Sequence, residues 1–152
     1  MSRFLSRVAR HRSLFAGVAA LALLGLSPAS AESYKFIASL DGASEVPPNT
    51  TKGTGSLTAT YDTTTKKLTW TVTYSGLTGP AVAAHFHGPA GPGKEAPVEV
   101  PVTVGPSPLQ GSATLTPSQE KDFLDGNIYF NIHTQANPKG ELRGQVSKSE
   151  PG

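Results

Sequence analysis

Ser56 to Tyr74 reads SLTATYDTTTKKLTWTVTY, and its apolar residues fall on every second position: Leu57, Ala59 and Tyr61, then Leu68, Trp70, Val72 and Tyr74. A period of two places those side chains on one face of an extended chain, which is the pattern of half-buried strands. The same alternation recurs outward in both directions. Upstream it takes Tyr34, Phe36, Ala38 and Leu40. Downstream it takes Val82, Ala84 and Phe86; Val98, Val100, Val102 and Val104; Ala113 and Leu115; Ile128, Phe130 and Ile132; and Leu142 with Val146. Short strands separated by Gly, Pro, Asn and Asp turns predict an all-β fold, a Greek-key sandwich or barrel of about eight strands. One short helix interrupts them: Thr116 suits the cap, Pro117 the first helical position, Gln119 completes a capping box and Gly126 sits at the stop. Phe123 and Leu124 are expected to pack on the sandwich edge, and Trp70, on a core parity, is expected to serve packing.

Residues 1–31 have the pattern of a cleaved secretory signal. Arg3, Arg7, Arg10 and Arg12 precede the thirteen-residue apolar run Leu14 to Leu26, too short to span a bilayer, and Ala29-Ser30-Ala31 supplies small residues before a cut at Glu32. The expected working protein is therefore a single domain, residues 32–152, with a short disordered tail from about 148, located in the periplasm or outside the cell. Losing the four signal arginines leaves nine basic residues against eleven acidic ones, a net charge of −2 in place of the whole chain's +2. Scattered lysines argue against nucleic-acid binding, and no later apolar stretch is long enough for a membrane helix. With no Cys there is no disulfide framework and no lipoprotein anchor, so 121 residues must be held by a core alone.

Parity decides where the histidines point. In AAHFHGPAGPG, Ala83 to Gly93, the core face is even-numbered through Val82, Ala84 and Phe86, so His85 and His87 share the opposite face. In NIYFNIHT the even residues Ile128, Phe130 and Ile132 face the core, which turns Tyr129, Asn131 and His133 outward. Two positions along one strand separate Cα atoms by roughly 6.5 Å, a spacing from which two imidazoles can converge on one ion. If TQANPKG joins the last two strands, Ile132 lies opposite Leu142 and Asn131 opposite Arg143, while His133 faces Glu141. A carboxylate there would either ligate a metal or orient a ligating imidazole.

At LDGASEVPP, HFHGPAGPG, LTPSQEKDFLDGNIYFNIHT and NPKGELRGQV the chain resembles the CHRD domain, the module repeated in chordin and present as single copies in exported bacterial proteins. The resemblance spans nearly all of Tyr34 to Val146, in the family's motif order. It implies an immunoglobulin-like or superoxide-dismutase-like sandwich without established enzymatic activity, with recurrent polar positions at Glu45, His85, His87, His133, Glu141 and Arg143. Phe86 stands where an aliphatic residue is more usual between the two histidines.

Three functional classes follow. The first is a metal-binding protein using His85, His87 and His133, with Glu141 as a further candidate ligand, for a divalent ion: copper is favoured on intrinsic affinity, and zinc also suits. The second is a non-enzymatic protein-interaction or adhesion module whose partner is an extracellular or periplasmic protein meeting the same polar face. The third is an enzyme. Against it, the residues of a second metal site are missing, no Ser/His/Asp set remains once the histidines are used, and no phosphate loop is visible.

Overall fold

The computed structural model describes residues 32–149; the expected signal segment and cleavage point, and residues 150–152 of the expected tail, lie outside these. Eight strands and one helix follow in the order β1 (Ser33–Leu40), β2 (Thr54–Asp62), β3 (Lys67–Ser75), β4 (Ala81–His87), β5 (Val98–Val102), β6 (Leu109–Thr114), α1 (Pro117–Leu124), β7 (Ile128–Thr134) and β8 (Leu142–Lys148). The fold is all-β, as the alternation predicts. The strands form one antiparallel sheet in the order β5-β4-β7-β8-β1-β2-β3-β6, curled into a nearly closed barrel. β1, β2 and β3 are a continuous meander, whereas the β3–β4, β5–β6 and β6–β7 connections jump between the two halves.

The opening stretch forms β2 and β3, paired residue for residue from Thr54↔Ser75 to Asp62↔Lys67. Their turn is shaped by Asp62, whose carboxylate accepts the backbone N–H of Thr64 at 2.9 Å and of Thr65 at 2.8 Å. Where β1 meets β8, the ladder comprises Phe36↔Lys148 and Ile37↔Ser147, with Asp41 bridging to Arg143. Gly144 makes that junction possible, because a Cβ there would run into the Ser39 carbonyl. The tail is held further than expected: Lys148 belongs to β8, and Ser149 donates its N–H to the Lys35 carbonyl at 2.9 Å.

The two halves enclose one core. Phe86 lies at its centre, with ring centroids 5.2 Å from Trp70, 4.9 Å from Phe130 and 5.4 Å from Phe123. Trp70 does serve packing: it faces Gly111 of β6, where any side chain would occupy the space of its indole. α1 starts as its sequence requires, Gln119 N–H donating to Thr116 Oγ1 and Thr116 N–H to Gln119 Oε1. Phe123 is fully buried against Phe36, so the helix plugs the core and does more than cover its edge.

Parity fails at two places. Val82 is 55% exposed, because the β4–β7 register shifts between Ala81 and Ala83 and the extra residue turns outward. Val98 is exposed at the start of edge strand β5. A larger departure concerns β7 and β8, which are buried on both faces. Tyr129, Asn131, Glu141 and Arg143 are each at least 95% buried, although parity correctly puts Tyr129, Asn131 and Arg143 opposite the apolar core. The loops following β1 and β4 cover that second face. Arg143 donates to the Gly91 and Lys94 carbonyls, Gln145 to Ala90 and Gly126, and Asn49 to Gly140 and Glu141.

Candidate metal centre

β4 lies beside β7 in the sheet, with His85 opposite Asn131, His87 opposite Tyr129 and Ala83 opposite His133. Strand alternation therefore delivers His85, His87 and His133 to one face as a triangle. Ring centroids are 5.3 Å apart for His85–His87, 5.2 Å for His85–His133 and 6.4 Å for His87–His133, and one ring nitrogen from each lies within 4.8 Å of the other two. An ion bound at about 2.0 Å to three nitrogens in a plane needs them about 3.5 Å apart, so the rings would close by at most about 1.3 Å.

Two of the three rings are aimed by backbone carbonyls. His87 Nδ1 lies 2.9 Å from the Ala96 carbonyl and His133 Nδ1 lies 3.0 Å from the Pro138 carbonyl. A carbonyl only accepts, so each Nδ1 carries the proton and each Nε2 presents a lone pair. Those Nε2 atoms, together with Nδ1 of His85, are buried and have no hydrogen-bond partner. This is the arrangement by which metal-binding histidines are oriented and made more basic. Burial lowers the pKa of His85, helped by the neighbouring His133 and His87; burial also lowers that of His133, outweighing its bond to Pro138. Both favour the neutral form that a metal requires.

His87 is further fixed from its face. Tyr129 stacks on it with the rings parallel and 4.8 Å apart, and the Arg143 guanidinium lies 3.5 Å above the other side of the Tyr129 ring. Parity places Tyr129 and Arg143 on the correct face, but nothing in their spacing announces the stack.

Glu141 does not join the histidines. The β7–β8 register runs as expected through Asn131↔Arg143 and Ile132↔Leu142, yet β8 begins only at Leu142. Just before the strand, the Glu141 carboxylate turns away and accepts from Thr51 Oγ1 (2.7 Å), Thr78 N (2.8 Å), Thr78 Oγ1 (2.6 Å), Thr134 Oγ1 (2.6 Å) and Asn137 Nδ2 (3.1 Å). Burial alone would raise its pKa, but the hydroxyl and amide donors outweigh that and hold it at about 2. Its oxygens are saturated, so the expectation of Glu141 as a ligand, or as a bracket for His133, is corrected: it fastens three loops together.

Glu45 and Arg143 form a separate group. The Glu45 carboxylate packs directly on Gly140, whose φ of +138° and missing side chain leave room for it. Its Oε1 is buried without a partner, and burial pushes its pKa up to about 7 against the opposing pull of Arg143.

With that geometry in view, the family model described as the CHRD domain matches residues 36–146. Among curated proteins no match is found, and no solved structure matches.

Proposed function

The chain belongs to the CHRD domain family, and from that premise we propose that it is an exported, non-enzymatic metal-binding protein holding one transition-metal ion, copper ahead of zinc, on His85, His87 and His133. The observation that carries this reading is the convergence of three histidines from two neighbouring strands, each offering a ring nitrogen within 4.8 Å of the other two and each keeping a buried ring nitrogen without a partner. Buried acceptors without donors cost free energy in the fold unless something binds them, and three neutral imidazoles have the right chemistry for a borderline metal. Among divalent ions copper stands above zinc, because nitrogen sites follow the general affinity order of the first transition series. Export and a periplasmic or extracellular location rest on the N-terminal sequence.

Titration of the purified, untagged protein tests this reading. One ion per chain is expected, and binding should be lost in His85→Ala, His87→Ala or His133→Ala alone, while Glu141→Gln should leave the stoichiometry unchanged. Stoichiometric binding that survives His133→Ala removes the site.

A second reading, a protein-interaction module for an exported partner, draws on a cleft of about 430 Å³ beside Arg143 and Gln145, walled by Ala43, Val46, Pro48 and Pro92. Capture of a partner that is insensitive to the three His→Ala variants but lost on Val46→Asp would favour it.

A further inference from the structure

We propose that the ion held by the three histidines is monovalent copper in a three-coordinate, water-poor site, a refinement that rests on the metal-binding reading above. Three independent features of the surroundings lead to it.

The first is charge. All three ligating groups are neutral imidazoles, and no carboxylate joins them among the described residues. The acid that strand register brings nearest, Glu141, is turned away and consumed by five donors. Glu45 is packed on Gly140 in the field of Arg143, whose positive charge opposes its own. The ligands are instead joined to a cation: the buried Arg143 guanidinium is stacked on Tyr129, which is stacked on His87. The cost of placing an ion in a low-dielectric site grows with the square of its charge, so a divalent ion without an anionic ligand is penalised far more than a monovalent one.

The second is coordination number. Zinc(II) closes a tetrahedron of four ligands and copper(II) takes a tetragonal set, whereas the fold supplies three nitrogens. The third is access. His85 Nδ1, His87 Nε2 and His133 Nε2 are all shut off from solvent, which disfavours the water that would complete a divalent ion's shell. Carbonyl-anchored rings on two paired strands also resist the rearrangement that a higher coordination number demands.

The experiment compares oxidation states on the whole protein. Copper(I) affinity is measured anaerobically under ascorbate by competition with bicinchoninate, and copper(II) and zinc(II) affinities by competition with chromophoric chelators. Copper(I) should bind at one per chain and at least about a hundredfold more tightly than either divalent ion, each tenfold preference over copper(II) raising the midpoint potential of the bound couple by about 59 mV. Asn131→Asp introduces a carboxylate of the same shape opposite His85; it should shift the preference at least about tenfold toward the divalent ions and lower the potential by about 59 mV or more. Arg143→Met, which removes the stacked cation, should shift it the same way and replaces the first variant if that one fails to fold. Histidine-dependent binding in which copper(II) or zinc(II) equals copper(I), or a preference unmoved by a folded charge variant, overturns the inference and leaves the metal site standing. Absence of histidine-dependent binding in either oxidation state overturns the metal-binding reading itself.

Discussion

Glu141 and Glu45 are both buried acids, and their surroundings drive them in opposite directions. Five donors hold Glu141 ionised to about pH 2, below the ordinary value of 4.5. Its contribution to stability is therefore complete above about pH 4.5 and disappears as pH falls toward 2. Glu141→Ala strands those donors and should cost at least about 3 kcal/mol at neutral pH, a loss that shrinks in acid; urea melts across pH 2–7 check both claims. Glu45 is raised to about 7 by burial, so it favours folding in its protonated form. That contribution is complete below about pH 4.5 and is lost as pH rises through 7. Glu45→Gln, which cannot ionise, should match the wild type near pH 4 and exceed it by about 3 kcal/mol at pH 8. An equal effect of this variant at both pH values contradicts the assignment of a buried, reluctant carboxylate.

Elements behave differently according to whether one or both of their faces are covered. Phe130, fully buried in β7 among the core aromatics, should lose about 3–5 kcal/mol on truncation to Ala. Its neighbour Asn131 is no exposed control, because the loops over β7 bury it too. The proper control is Val82, 55% exposed at the β4 irregularity, where Val82→Thr should change stability by less than about 0.5 kcal/mol. The helix is a third kind of element, set locally: Thr116→Ala removes the hydroxyl that accepts the Gln119 N–H, one half of the capping box, and should cost about 1 kcal/mol, measured by the same melts.

For the whole molecule, the proposed metal site ties binding to folding, because the three histidines come from β4 and β7 and meet only when those strands pair. The unfolded chain does not hold the triangle. Metal at about a hundred times its dissociation constant should therefore add about 2.7 kcal/mol, raising the melting temperature by roughly 8 °C for a domain of this size. The rise should vanish in His85→Ala. It should also weaken as pH falls, because the imidazoles must be neutral to ligate, with the loss beginning below the ordinary histidine value since burial lowers His85 and His133.

The sequence by itself determined whatever depends on near neighbours. Alternation from Leu57 to Tyr61 and from Leu68 to Tyr74 specified strands and the side each buries, and Thr116, Pro117 and Gln119 specified the start of the helix. The shared face of His85, His87 and His133 was legible for the same reason, since side-chain direction in a strand is set by parity alone. Tertiary structure decided the rest. Parity says which residues oppose the core but not what then covers them; only the folded loops reveal that Asn131, Glu141 and Arg143 lie beneath a second, polar roof. The donors of Glu141 come from positions 51, 78, 134 and 137, and the Arg143–Tyr129–His87 stack from three different strands. Such groups have no common period along the chain. They meet because strands distant in sequence are neighbours in the sheet, and because loop closure over that sheet chooses which buried polar atoms are satisfied and which, the three imidazole nitrogens among them, are left without a partner.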